Sequence, residues 1–363
     1  MQQIFMRMTR IFIRYGVPVV ILYLVARRID LVLLGKIVAT SDWRWNIVGI
    51  ALISLVVVTG ALRWHFLSGS LNANSLTIFS AVTEYWKSLA LGVFVPGSMG
   101  SDAYRVLLQG RSRGQYIRAA FVIGLEKLCS LFSCAILVAC LYPLIASNCL
   151  LETFPPVVST IYTILLLGFG LALLLSFTSG RRWVARMVTL CSAHLESIVH
   201  RLIPISPAAD NPLTSSSESG GQFVLSLLSA RVLLPAVALS LLIYVLSAVQ
   251  VHLYFQGFGF EIPFLVNIFL SPLIFLLVSL PVSFGGVGLR EGGYIVLYGA
   301  FGVPMEVALV ISFCSLLALL SSYAVGAVLL FLGRRRLEMK ASMLPDTGKT
   351  KGNNEPQGTS SIK

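Results

Sequence analysis

Long apolar stretches alternate with short polar connections along most of the 363-residue chain. An α-helix needs about 20 mostly apolar residues to cross the hydrocarbon core of a bilayer. Five stretches reach this length and predict membrane-spanning helices, at residues 46–66, 119–145, 157–179, 230–254 and 306–332. A sixth helix is predicted over residues 11–27, where the stretch is shorter and Arg14 must extend its charged end to the membrane surface.

Two further apolar regions, 75–104 and 262–300, contain a cluster of proline and glycine midway. Proline ends a helix because it lacks the amide hydrogen and clashes with the preceding turn. Each region therefore predicts two half-helices folded into a re-entrant hairpin, which enters and leaves the membrane on one side. Broken helices of this kind are tolerated where their backbone is buried in protein or lines a cavity.

The charges of the connections predict the orientation of the chain, because short connections rich in Lys and Arg face the cytoplasm. Three basic connections are expected there: 109–118, 180–201 and 334–340. Three connections with Glu but no Lys or Arg are expected outside: 146–156, 256–263 and 302–306. Both chain ends are then cytoplasmic. The basic stretch 27–44 must lie outside, against the charge trend.

Six spans agree with the predicted sides of the chain ends and connections only if the first hairpin enters from the cytoplasm and the second from outside. The sequence thus predicts an all-α polytopic membrane protein with about six spans and two inverted hairpins. A pseudo-two-fold inverted repeat with broken helices is typical of transporters. The predicted division is a first half (1–202), a flexible linker rich in Pro, Ser and Gly (203–221), a second half (222–340) and a disordered cytoplasmic tail (341–363).

Composition supports a membrane protein and excludes other classes. The chain is 56% hydrophobic and only 12% charged, with a mean hydropathy of +0.86, so the inner (plasma) membrane is the expected location. The net charge of +12 is spread over the connections. Anionic lipid explains it better than nucleic acid, which needs one basic face. The six cysteines form no CxxC pair and the four histidines are scattered, so no metal or cofactor is predicted.

The two breaks carry the same residue types at matching offsets. Residues 96–105 read PGSMGSDAYR and residues 281–290 read PVSFGGVGLR. The half-helix after each break has its positive dipole end there, and the planar guanidinium of Arg105 or Arg290 can hold a phosphate with two hydrogen bonds. The predicted ligand is an anionic lipid headgroup. Candidate binding residues are Ser98, Asp102, Arg105, Glu126, Ser283, Arg290 and Glu291. Candidate helix-break residues are Pro96, Gly97, Gly100, Pro281, Gly285, Gly286 and Gly288.

A structural alternative is open for both arginines. The breaks could be packing kinks in which Arg105 pairs with Asp102, and Arg290 with Glu291, for stability alone. Either way these charges need partners, because an unpaired charge within the bilayer costs at least about 2.5 to 3.5 kcal/mol.

Other ionisable residues border the apolar stretches and need partners too. Glu84 and Lys87 are three residues apart and are expected to pair on one helix. Glu126 follows Arg118 by eight residues and could face the same cavity.

At these residues the sequence resembles the lysylphosphatidylglycerol synthase transmembrane-region family of flippase-like membrane proteins. The resemblance covers residues 5–336 and rests on Arg63-Trp64, VPGSMGSDAYR at 95–105, the Glu126 region, and LPVSFGGVGLREGG at 280–293 with the turn at 302–304. The chain departs from the family pattern in having Glu126-Lys127 for Glu-Arg and Gly100-Ser101-Asp102 for Gly-Gly-Asp.

The resemblance implies a lipid-translocating domain. The soluble aminoacyl-transferase domain of some members is not expected here, because only a short polar tail follows Arg336. The leading hypothesis is a lipid flippase whose arginines contact the headgroup of a phospholipid or of another anionic lipid or glycolipid. One alternative is a membrane-embedded transferase for a polyprenyl-linked or glycolipid substrate, with Asp102, Glu126 or Glu291 as general base. Another is a noncatalytic partner of a separate lipid-modifying enzyme.

Overall fold

The computed structural model describes residues 30–69, 77–93, 99–111, 116–147, 229–279 and 286–343, together with Tyr23 and Arg27. Over these ranges the chain is all-helical. Its helices are α1 (Leu31–Ala39), α2 (Trp43–Gly69), α3 (Ile78–Gly92), α4 (Met99–Arg111), α5 (Tyr116–Ser147), α6 (Ala230–Gly257), α7 (Phe264–Ser279), α8 (Leu289–Gly299) and α9 (Met305–Met343). The predictions for 157–179, 203–221 and the tail beyond 343 lie outside the described residues, as does that for 11–27 apart from Tyr23 and Arg27.

Four helices are long and apolar enough to cross a membrane: Trp43–Gly69, Tyr116–Ile145, Arg231–Gly257 and Met305–Gly333. They confirm four predicted spans, with bounds that agree to within three residues. Large apolar side chains remain exposed on them, including Leu55, Leu128, Leu234 and Phe331. Such exposure is expected where lipid surrounds the helices instead of water. The chain is therefore an integral membrane protein.

Helix α1 lies within the stretch 27–44, which was expected to be a connection. The side chain of Asp30 caps its start by accepting hydrogen bonds from the backbone N–H groups of Val32 and Leu33, at 2.9 and 3.1 Å. An Asp before an apolar run is a helix-start signal. The helix is only nine residues long, too short to span a bilayer.

Contacts between the connections show that several of them share one end of the helix bundle. The backbone N–H of Asp42 donates to the carbonyl oxygen of Gly257 at 2.8 Å. The backbone N–H of Asp30 lies 3.4 Å from a carboxylate oxygen of Glu306. Three connections predicted to share a side of the membrane thus meet at one end: 27–44, 256–263 and 302–306.

Helices α3 and α4 form an antiparallel hairpin. The hydroxyl groups of Ser88 and Ser101 are 2.8 Å apart, and the hydroxyl of Tyr104 donates to Glu84 at 2.6 Å. Since α3 follows the end of α2 and α4 leads into the start of α5, both ends of this hairpin lie opposite the end that holds Asp42. The second helix continues to Arg111, beyond the predicted hairpin limit at 104.

Helices α7 and α8 form a second antiparallel hairpin with the opposite direction. The hydroxyl of Tyr298 donates to the side-chain oxygen of Asn267 at 2.9 Å, and Gly293 packs beside Leu277. This hairpin follows the end of α6 and leads into α9. The two hairpins therefore point into the bundle from opposite ends, and both contact α5 and α9. Their depth in the bilayer and the pseudo-two-fold repeat stay predictions.

Candidate functional site

Arg105 lies at the centre of a buried ion-pair cluster. Its guanidinium donates to a carboxylate oxygen of Glu126 at 2.7 Å and to one of Asp102 at 2.6 Å. It also lies over the ring of Tyr85 at 4.7 Å and faces the ring of Trp64 at 5.7 Å. Aromatic faces attract a cation most strongly when both are shielded from water. The first hairpin thus places a guanidinium inside the bundle that is paired with two carboxylates and lies against two aromatic rings.

Tyr85 is itself held in place by a glycine on α2. A Cβ atom at Gly60 would lie only 2.9 Å from the hydroxyl oxygen of Tyr85, which leaves no room for a side chain there. The phenol ring is therefore packed between the α2 backbone and the guanidinium of Arg105.

Glu126 connects Arg105 to a second arginine on α2. Its other carboxylate oxygen accepts a hydrogen bond from Arg63 at 2.7 Å. Arg63 also donates to the hydroxyl groups of Ser130 at 2.7 Å and Ser240 at 2.8 Å, and so links α2, α5 and α6. Both oxygens of the buried carboxylate are thus paired, as a buried charge requires.

Asp102 and Lys127 form the open side of the cluster. The second carboxylate oxygen of Asp102 is 3.2 Å from the Nζ atom of Lys127. The side chain of Lys127 is 40% exposed and that of Asp102 is 19% exposed, whereas that of Glu126 is 1% exposed. The cluster therefore runs from a sealed inner part to a partly open margin.

The second hairpin buries Arg290 and Glu291 in the first turn of α8. The Glu291 carboxylate accepts a hydrogen bond from the backbone N–H of Gly288 and lies 3.4 Å from the hydroxyl of Ser312. This carboxylate therefore caps its own helix.

Helix α9 lies against both hairpins. Ser312 and Ser315 contact Glu291 and Tyr294 of the second hairpin. Gly326 packs against the backbone carbonyl of Trp86 and the side chain of Ala90, both on α3 of the first hairpin. One helix thus joins the two hairpins. That both arginines serve a single site stays a prediction.

Comparison with known families decides the classification of the chain. The family model described as the lysylphosphatidylglycerol synthase TM region matches residues 11–328. The chain belongs to this family. No curated protein and no solved structure matched in the same comparisons. Membership in the lysylphosphatidylglycerol synthase TM-region family confirms the resemblance seen in the sequence and indicates a function connected with membrane lipids.

In this family member the predicted helix-break residues fall into three groups. Gly286 and Gly288 have φ angles of 79° and 82°, which favour glycine, and a Cβ atom at Gly286 would collide with Val278. Gly100 lies in the first turn of α4. The others, together with two candidate binding serines, lie outside the described residues: Pro96, Gly97, Ser98, Pro281, Ser283 and Gly285.

One expectation about pairing is confirmed, because Glu84 and Lys87 form the predicted ion pair at 2.6 Å. The carboxylate oxygens of Glu126 contact Arg63 and Arg105, since α4 brings Arg105 against α5 and α2 brings Arg63 there too. That Glu126 and Arg118 face one cavity stays a prediction.

Sequence reasoning missed Arg63 and Lys127 as members of the cluster of this TM-region protein. An arginine inside an apolar span is itself a signal of a site, and this signal was present at Arg63. Ser130 and Ser240 gave no signal, because isolated serines in apolar helices usually only pack.

Proposed function

We propose that the protein translocates a lipid with an anionic headgroup across the membrane. The observation that carries the proposal is the cluster of Arg63, Arg105 and Lys127 inside an apolar bundle, held by two carboxylates. Charges at this depth are costly and are typically kept for a substrate or ion pathway. A positively charged, aromatic-backed site fits a phosphate-containing headgroup.

The two hairpins suggest how a headgroup can be reached from either side. They enter the bundle from opposite ends, and each carries one buried arginine, Arg105 or Arg290, in the helix that follows its break. In transporters with inverted hairpins, one repeat moves against the other around a site near the midplane. In the proposed cycle the headgroup passes between these arginines while the acyl chains stay in the surrounding lipid.

The transferase alternative receives less support from the geometry. Each of the three candidate bases already has a partner. Glu126 has both carboxylate oxygens bound to arginines, Asp102 is paired with Arg105 and Lys127, and Glu291 accepts the N–H of Gly288. Ion pairing with arginine or lysine favours the charged form of a carboxylate and makes it a weaker base.

The proposal is tested by following a fluorescent phosphatidylglycerol analogue in proteoliposomes, with a membrane-impermeant quencher reporting which leaflet holds it. The wild-type chain should move the analogue faster than protein-free liposomes do. Arg290→Ala should slow this by about tenfold or more, since a lost hydrogen-bonded charge contact is worth at least about 1.4 kcal/mol.

The matched control is Arg231→Ala, which removes the same side chain from an exposed position at the start of α6. It should leave the rate unchanged. A wild-type rate equal to that of empty liposomes rejects translocation. An unchanged rate for a correctly folded Arg290→Ala variant rejects the assignment of this arginine to the headgroup path.

A further inference from the structure

Two carboxylates share the guanidinium of Arg105, and they differ sharply in their surroundings. Glu126 is sealed, with a side chain 1% exposed and each oxygen 2.7 Å from a buried arginine. Asp102 is 19% exposed and divides its oxygens between Arg105 at 2.6 Å and Lys127 at 3.2 Å. Lys127 is itself 40% exposed. Glu126 is therefore a fixed partner of Arg105, whereas Asp102 lies where a ligand can reach it.

The place of the Asp102 carboxylate matches the chemistry of a lipid phosphodiester. A phosphodiester carries one negative charge and two unesterified oxygens, as a carboxylate does. One of its oxygens can accept from Arg105 and the other from Lys127. The two cations keep a negative partner throughout the exchange. The displaced Asp102 carboxylate turns to the partly exposed side of the cluster, because a charge left buried without a partner is costly.

We infer that Asp102 is an exchangeable counter-ion for the headgroup. In the empty protein its carboxylate occupies the place between Arg105 and Lys127, and the phosphodiester of the lipid displaces it. This inference rests on the proposed translocation and deepens it by naming the phosphodiester as the recognised group. Asp102 then has two effects: it competes with the headgroup during binding, and its return to the cations favours release.

The decisive variant is Asp102→Asn, which keeps the shape of the side chain and removes its negative charge. The purified full chain is titrated calorimetrically with dihexanoyl phosphatidylglycerol. Loss of the competing carboxylate should lower the Kd about tenfold, equivalent to about 1.4 kcal/mol. In the translocation assay the KM and kcat should both fall, because the headgroup binds more tightly and leaves more slowly. If Asp102 had only a structural role, its replacement would not lower the Kd, the KM and the kcat together.

The matched control is Glu84→Gln on the same hairpin. It removes a carboxylate whose partners are Lys87 and Tyr104, and should leave the Kd unchanged. If Glu84→Gln lowers the Kd as much as Asp102→Asn does, the cause is a general effect of charge, which overturns the inference. An unchanged or raised Kd in Asp102→Asn overturns it as well. Inorganic phosphate is titrated as a second ligand. If Asp102→Asn lowers its Kd by as large a factor as that of the lipid, the phosphodiester assignment is overturned.

Lys127→Gln keeps the inference testable if Asp102→Asn does not fold. Its side chain is partly exposed, so the bundle should tolerate the change, and the Kd for dihexanoyl phosphatidylglycerol should rise about tenfold. An unchanged Kd contradicts the exchange. The two proposals can fail separately. If the wild-type chain translocates the lipid but Asp102→Asn does not change the Kd, only the counter-ion role is rejected. If the variants change the Kd as expected but the wild-type chain does not translocate the lipid, only transport is rejected.

Discussion

At the scale of single residues, Glu126 holds three helices together. It lies on α5 and binds arginines from α2 and α4. Removing one partner of a buried ion pair is more damaging than its net contribution suggests, because the remaining charges stay buried without compensation. Here two guanidinium groups would lose the same carboxylate.

We expect Glu126→Gln to lower the free energy of unfolding by about 3 to 5 kcal/mol, the usual range for breaking a buried pair. Denaturation of the purified protein in detergent measures this. Glu84→Gln is the comparison, because its pair with Lys87 is less buried and the Gln side-chain oxygen can still accept from Tyr104, so the loss should be smaller. Equal losses in the two variants would contradict the structural role given to Glu126.

The members of the cluster could be predicted only in part. Arg105, Asp102 and Glu126 were identifiable because each is a charge in or beside an apolar stretch. The pairing of Arg63 with Glu126 joins residues 63 positions apart. It depends on which faces of α2 and α5 meet, and the hydrophobic pattern of an all-round apolar helix does not mark one face for a partner.

At the scale of helices, a glycine sets how closely α9 approaches the first hairpin. The Cα of Gly326 lies against the backbone carbonyl of Trp86, so α9 and α3 are in direct backbone contact there. Small residues at such crossings are the usual means by which membrane helices pack, since lipid already surrounds apolar side chains.

Gly326→Ala should therefore destabilise the protein by about 1 to 3 kcal/mol through overpacking. Gly124→Ala is a matched control within a helix, because a Cβ atom there meets nothing within 4 Å. The control should be neutral or stabilising by up to about 1 kcal/mol. Thermal unfolding midpoints of the two variants decide the matter, and a loss in Gly124→Ala alone would refute this packing argument.

The helices could be predicted where the length and composition of an apolar stretch are enough to identify one. The four confirmed spans follow from apolar runs long enough to cross a bilayer, and the hairpins from proline and glycine midway. Helix α1 was missed because a nine-residue run that contains Lys36 fits a connection as well as a helix. Only the capping role of Asp30 distinguishes the two, and it depends on a backbone geometry that the hydrophobic pattern does not contain.

At the scale of the whole molecule, the bundle has two distinct ends. Asp42 and Glu261 lie at one end, because the backbone of Asp42 contacts Gly257, which is four residues before Glu261. Thr77, which caps the start of α3, lies at the other. The charges of the connections predict that the first end faces outside, even though it includes the basic stretch 27–44.

Single cysteines at Asp42, Glu261 and Thr77, in a chain with its six natural cysteines replaced, test this arrangement. All three positions are exposed. A membrane-impermeant maleimide added to intact cells should label Asp42→Cys and Glu261→Cys, but Thr77→Cys only after the cells are opened. Labelling of Asp42→Cys and Glu261→Cys from different sides would contradict the shared end, and labelling of Thr77→Cys alone would reverse the orientation.

The contact between Gly60 and Tyr85 links two positions that look unrelated in the sequence. A side chain at 60 would push the phenol ring away and, with it, the aromatic surface on which Arg105 rests. We therefore expect a larger residue at 60 to need a smaller one at 85. A glycine in the middle of one helix thereby fixes the position of a positive charge on another.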